Sequence, residues 1–247
     1  MLKLCKSSVM SLVLLFAGAA APALGQAGRS TDPSTQPAPR EEAIAKRIGD
    51  PYPLSTCPVS TGKLGSMGEP VVKLYEGREV RFCCGSCPPK FEKDLTKNLD
   101  KLDSAIVKDQ APLYPIQSSV VSGKKLPEKP IDWVYNNRLV RLTDETEKAE
   151  FLKDPKKYMA SLDRSVVEKQ GTDYPLTTCP VSKDKLGDMS ETRDLVIAGR
   201  LIRLCCAGCV KDVLKEPAKY IAVIDAARKP NADGKDAPRE TPSEGGM

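Results

Sequence analysis

Of the nine cysteines in this chain, eight fall into two sets with one spacing, and these are the residues best able to do chemistry. Cys83, Cys84 and Cys87 stand in Arg-Phe-Cys-Cys-Gly-Ser-Cys, and Cys205, Cys206 and Cys209 in Arg-Leu-Cys-Cys-Ala-Gly-Cys. A lone cysteine precedes each cluster at the same distance: Cys57 in Tyr-Pro-Leu-Ser-Thr-Cys-Pro-Val-Ser, and Cys179 in Tyr-Pro-Leu-Thr-Thr-Cys-Pro-Val-Ser. Each set is therefore a four-thiol unit of pattern C-x25-C-C-x2-C.

Four sulfurs that converge from a turn and a helix start make a closed thiolate site of the kind zinc occupies, and a helix N-terminus favours the thiolate form that binds metal. The chain has no histidine, which removes imidazole ligands and leaves soft or borderline ions, Cu(I), Zn(II), Cd(II) and Hg(II), as the candidates. The expected cofactor is zinc or copper(I), one ion for each set. Adjacent cysteines crowd a tetrahedral ion, so one of Cys83 and Cys84 is expected to stand outside the direct ligands, leaving three thiolates and a spare that suit metal exchange. Met67 and Met189 occupy equivalent places and could add a thioether, although buried packing is the better reading of them. Two other readings of the thiols stay open: structural zinc that only holds small domains together, and disulfides pairing two by two in an oxidising compartment. Cys84-Gly-Ser-Cys87 and Cys206-Ala-Gly-Cys209 also have thiol-oxidoreductase spacing, without the βαβ context of that chemistry. No Cys–His pair, paired carboxylates or phosphate loop points to an enzyme.

The elements that must position these thiols recur along the chain. Tyr52-Pro-Leu, Tyr114-Pro-Ile and Tyr174-Pro-Leu open three stretches, and the first and third align without a gap through their cysteines. Val71–Tyr75 and Arg78–Phe82 are β-prone runs around Glu76-Gly77, a hairpin signal. Phe91, Leu95, Leu99, Leu102 and Ile106 follow at helical spacing. The third stretch repeats this with strands at 194–198 and 200–204 and a helix carrying Val213, Leu214, Ile221 and Ile224. Pro217 fits the first turn of a second helical segment there, and Pro155 does the same in the middle stretch. That middle stretch keeps the hairpin (Trp133-Val-Tyr, Asn136-Asn137, Leu139-Val-Arg-Leu) and a helix face of Phe151, Met159, Leu162 and Val166, but has Ser119 in place of Cys57 and Thr143-Asp-Glu-Thr-Glu147 in place of the cluster. Those acids read as a solvated helix start rather than a hard-ion site, with Trp133 adding core volume in place of the metal. The expected fold class is α+β: three tandem small modules, each a cysteine knuckle, a β-hairpin and a C-terminal helix, zinc-finger-like in outline.

The composition agrees with small globular domains: 40% hydrophobic, 29% charged and 5% aromatic residues, thin cores for which a metal is a natural staple. A basic start, an apolar run from Val9 and the small exit Ala23-Leu24-Gly25 read as a cleaved signal peptide over residues 1–25. The run is shorter than the roughly 20 residues of a membrane span, so with the signal cleaved no stable insertion is expected and the protein would be periplasmic or secreted, an uncleaved N-terminal anchor being the alternative. Residues 26–45 read as a flexible linker and 229–247 as a disordered tail, around modules at 46–110, 111–171 and 172–228. The formal charge of +5 is too weak and dispersed for a nucleic-acid partner.

At Tyr-Pro-Leu-x-Thr-Cys-Pro-Val-Ser, Val-Arg-Phe-Cys83-Cys84-x-x-Cys87 and Glu216-Pro217-Ala-Lys-Tyr220, the sequence resembles the TRASH and YHS group of heavy-metal-binding domains. The resemblance covers the first and third modules almost completely and the middle one in scaffold. It implies a treble-clef-like fold and a role in sensing, trafficking or resisting heavy metals, beside a metal transporter or another exported protein. The three-cysteine core of the family falls on Cys57, Cys83 and Cys87, and on Cys179, Cys205 and Cys209, with Cys84 and Cys206 as additions. The expected function is an exported protein that sequesters or delivers soft ions; the alternative is an interaction protein stabilised by zinc or disulfides, and a thiol redox protein is a lesser one.

Overall fold

Three antiparallel hairpins of equal length carry the molecule: β1 (Val71–Tyr75) with β2 (Arg78–Phe82), β3 (Ile131–Tyr135) with β4 (Arg138–Leu142), and β5 (Arg193–Ile197) with β6 (Arg200–Leu204). The computed structural model describes residues 39–188 and 191–228; the expected signal peptide over 1–25, most of the expected 26–45 linker, Met189 and the expected tail over 229–247 lie outside them. Each strand pair is joined by a two-residue turn with both residues at positive φ: Glu76 and Gly77, Asn136 and Asn137, Ala198 and Gly199. This is the tight turn whose twist matches that of the strands it joins.

Each hairpin runs into a short helix and then a longer one: α2 (Cys87–Glu92) and α3 (Leu95–Gln110), α4 (Thr146–Phe151) and α5 (Pro155–Gly171), α6 (Gly208–Lys215) and α7 (Pro217–Arg228). The class is α+β, as the sequence predicts. Two expectations need correction. The apolar series from Phe91 to Ile106 is divided between two helices, because Asp94 leaves helical geometry (φ −142°) at the place where proline follows in the other two stretches. The linker over 26–45 ends in a helix, α1 (Pro39–Lys46). Pro-Arg-Glu-Glu-Ala-Ile-Ala-Lys has a proline suited to a helix start and a Glu42–Lys46 pair one turn apart, signals submerged in the polar stretch before it.

Every hairpin is tied to its own long helix by one buried arginine. Arg78 meets Asp103 at 2.6 Å, Arg138 meets Asp163 at 3.0 Å and Arg200 meets Asp225 at 3.0 Å. The long helices also bind the hairpin that follows. Gln110 at the end of α3 donates Nε2 to Asn137 O and accepts from Leu139 N. Gln170 in α5 repeats both bonds with Gly199 O and Leu201 N. Val134 of β3 joins the core of the first hairpin beside Leu102 and Ile106, so α3 is packed between two hairpins.

The third hairpin unit returns to the first. Arg81 of β2, held by Glu79 at 2.6 Å, donates to the carbonyls of Leu214 and Lys215 at the C-terminus of α6. Arg40 of α1 donates to the same Lys215 carbonyl at 2.9 Å.

Residues 48–50 bind all three hairpin turns: Ile48 N donates to Gly77 O at 2.8 Å, Asp50 N to Asn136 O at 3.1 Å, and the Asp50 carboxylate accepts from Ala198 N at 2.6 Å. The same carboxylate accepts from Arg138 Nε at 2.8 Å. Gly49 has φ +73°, and a Cβ there would lie 2.6 Å from Asn136 Cβ, so only glycine lets this segment approach the turn.

Candidate metal centres

The first cysteine of each set is positioned by a small loop closed on itself. Cys57 N donates to Gly62 O and Thr61 N donates back to Cys57 O, both at 2.9 Å; Cys179 N donates to Asp184 O at 2.8 Å and Lys183 N to Cys179 O at 3.0 Å. The loop turns the sulfur toward the end of the second strand, where β2 passes directly into Cys83 and β6 into Cys205. One turn later the short helix delivers Cys87 at the start of α2 and Cys209 in the first turn of α6.

Two groups of three thiols result, Cys57 with Cys83 and Cys87, and Cys179 with Cys205 and Cys209, each with its sulfurs within 4.8 Å of one another. All six residues are at most 6% exposed. In the first group Cys83 and Cys87 are 3.7 Å apart; in the second, Cys209 lies 3.8 Å from both Cys179 and Cys205. These spacings exceed the ~2.05 Å of a disulfide and match the edge, about 3.8 Å, of a tetrahedron whose centre is ~2.3 Å from each sulfur. All eight described cysteines are free thiols. Either buried trio could hold a metal ion.

The fourth thiols stand at the rim. Cys84 is half-buried, 3.6 Å from Cys87 and 3.9 Å from Cys83. Cys206 is exposed and lies 3.7 Å from Cys209. Of the adjacent pairs, the second member is thus the one outside the buried trio.

Electrostatics divides the thiols of a cluster. Burial opposes ionisation of Cys57, but donors from Ser60, Cys83 and Val59 outweigh it and bring its pKa down to about 6; Cys179 falls to about 6 in the same way. Ser86, through hydroxyl and N–H, lowers Cys84 to about 7. The N–H and thiol of Cys209 and the N–H of Gly208 lower Cys206. Burial, followed by the neighbouring thiols, pushes Cys87 up to about 12 and Cys209 in the same direction. Each cluster therefore holds thiolates ready for a soft cation beside a thiol that must release its proton to join them.

The serines were missed in the sequence. Ser60 Oγ lies 3.1 Å from Cys83 Sγ and Ser182 Oγ 3.2 Å from Cys205 Sγ. The signal was present, since both close the shared phrase Cys-Pro-Val-Ser. Met67 is 70% exposed, which corrects the expectation of buried packing: its loop faces solvent. Met189, its counterpart, is outside the described residues.

In the middle stretch Ser119 occupies the place of Cys57, Thr143 that of Cys83 and Glu147 that of Cys87. Ser119 Oγ donates to Glu147 Oε2 at 2.7 Å and Thr143 N donates to the same oxygen at 2.8 Å. Burial raises the Glu147 pKa, but donors from Ser122, Thr143 and Ser119 lower it further, leaving a net depression. A hydrogen-bonded carboxylate thus closes the loop onto the strand end where thiols do so in the other two. Glu147 is 6% exposed, which corrects its reading as part of a solvated helix start. Asp144 fits that reading, accepting from Thr146 N at 2.9 Å. Trp133 packs edge-on against Phe151, 5.3 Å between ring centroids.

No helix among the described residues is long and apolar enough to cross a membrane. No family model matches the chain, and neither the curated proteins nor the solved structures compared with it include a significant match.

Proposed function

We propose that this chain is an exported, non-enzymatic protein that sequesters or delivers soft metal ions, Cu(I) or Zn(II) among them, through two all-cysteine sites. The observation that carries the proposal is the convergence of two buried thiol trios with sulfur spacings that fit a thiolate-bound ion. Within this reading the molecule is three treble-clef-like modules of the TRASH and YHS kind, at 46–110, 111–171 and 172–228, preceded by a signal peptide. Its partners are the ions and an exported or membrane-bound protein that supplies or receives them.

The middle stretch supports a working site over a mere staple. The same loop, hairpin and helix order stands there on a serine, a threonine and a glutamate, so this scaffold does not need a metal at that point. The competing reading, structural zinc, is favoured by the burial of the trios, and the two part company when metal is removed. A working site gives its ion to a moderate chelator while circular dichroism stays unchanged; a structural site unfolds with the loss.

Elemental analysis of the purified protein, paired with a free-thiol count, tests the proposal directly. Two ions for each chain are expected, and replacing Cys83 and Cys87 by serine should reduce this to about one while the third module stays loaded. Eight blocked thiols with no metal would overturn it.

A further inference from the structure

The two clusters share one plan and differ at the fourth thiol. Cys84 is half-buried, and Ser86 Oγ lies 3.3 Å from its sulfur. Cys206 is exposed, and the residue in the place of Ser86 is Gly208, which has no side chain to hold it. A second difference lies across the cluster, where Asp184 replaces Gly62 and brings a carboxylate oxygen to 4.0 Å from Cys205 Sγ. The third stretch therefore pairs the more exposed of the two fourth thiols with an added negative charge, whereas in the first stretch the fourth thiol is half-buried and no carboxylate stands in the place of Asp184.

An ion passes between two thiolate sites when an incoming sulfur bonds to it before an outgoing one leaves, so one sulfur must be within a partner's reach. The buried trios do not meet that requirement, and Cys206 does. We infer that the two clusters divide the work: the cluster of Cys179, Cys205 and Cys209 is the exchange site, Cys206 being the residue that meets a cysteine-bearing metal donor or acceptor, and the cluster of Cys57, Cys83 and Cys87 is the retaining site. This rests on the reading of both clusters as soft-metal sites. On loading, the Cys206 thiolate bonds to the ion and one donor sulfur leaves; Cys209, 3.7 Å away, bonds next and a second donor sulfur leaves. Each metal–sulfur bond formed replaces one broken, each proton given up by a cysteine of this chain goes to a departing thiolate, and no electrons change hands.

The test follows Cd2+ leaving the full chain for dimercaptosuccinate, through the loss of thiolate-to-cadmium ultraviolet absorption. The wild-type chain loaded with two Cd2+ should empty in two phases, the fast one worth one ion. Cys206→Ser should still hold two ions and slow the fast phase by about tenfold or more, the scale on which a residue beside the direct ligands acts. Cys84→Ser should leave that phase unchanged. Gly208→Ser supplies the missing tether: a Cβ at that position would meet Cys206 Sγ at 3.6 Å, an ordinary contact, and the fast phase should slow. A Cys206→Ser chain with an unaltered fast phase, a fast phase lost instead with Cys84→Ser, or a Cys206→Ser chain that binds one ion fewer would each overturn the division of labour. Two ions that leave wild type at a single rate would do the same and leave the metal reading standing; a chain that takes up no Cd2+ defeats both.

Discussion

Within a cluster, neighbouring sulfurs are prepared in opposite ways. Cys57, with a pKa of about 6, is already a thiolate at pH 7, while Cys87, at about 12, is a thiol. Binding of Zn2+ at pH 7 should therefore release a proton from Cys87 at the first site and from Cys209 at the second, where the shift has the same direction. Calorimetry in buffers of different ionisation enthalpy measures this release; binding heats independent of the buffer would contradict it. The acid limit follows from Cys57. Its folded pKa lies below the ordinary ~8.5 of a cysteine, so the thiolate is favoured in the fold, and that advantage is lost as pH falls through about 6. Metal affinity should decline below that pH, as a chelator competition run from pH 7.5 to 5 would show.

At the scale of elements, the middle hairpin unit is the same support with different chemistry at its tip, which gives a strong prediction. Replacing Ser119, Thr143 and Glu147 together by cysteine should create a third site and raise Cd2+ stoichiometry by one; a stoichiometry of two would mean that the loop and strand end are not equivalent to those of the other stretches. Much of this architecture was legible in the sequence. The strands were readable because β-prone runs flank turn residues, and the thiol trios because their spacing recurs. The helix break at Asp94 was hidden because Leu95 and Leu99 continue the apolar period without a proline. Glu147 was misread because an acidic run resembles a surface, and only the fold brings Ser119 to its carboxylate. The unequal exposure of Cys84 and Cys206 could not be seen, since both stand three residues before the next cysteine. Gln110 and Gln170 were invisible for another reason: single polar residues at a helix end show no pattern, and their partners lie 27 to 31 residues away.

For the whole molecule, three hairpin units are held as one body by polar groups more than by a shared apolar core. The apolar residues divide into separate clusters, whereas buried arginines and carboxylates cross between units. Arg200 reaches Asp109 of α3 at 2.6 Å, and Arg138 reaches Val196 O at 3.2 Å. Asp50→Asn leaves the buried Arg138 with the partly exposed Asp163 as its one remaining carboxylate and weakens the acceptor of Ala198 N, so it should cost about 3 kcal/mol, measurable by denaturant titration. The sequence distances add a statement about time. Asp50 bonds to groups 88 and 148 residues away, and such closures bear the largest entropic penalty before any contact repays it. The bonds of Asp50 can be completed only after the second and third turns exist, so residues 48–50 are expected to lock late in folding and to let go early. In a chevron experiment Asp50→Asn should leave the refolding rate almost unchanged and raise the unfolding rate about 100-fold. The persistence of the folded state would then be governed by three residues that lie ahead of Cys57 and bind no metal themselves.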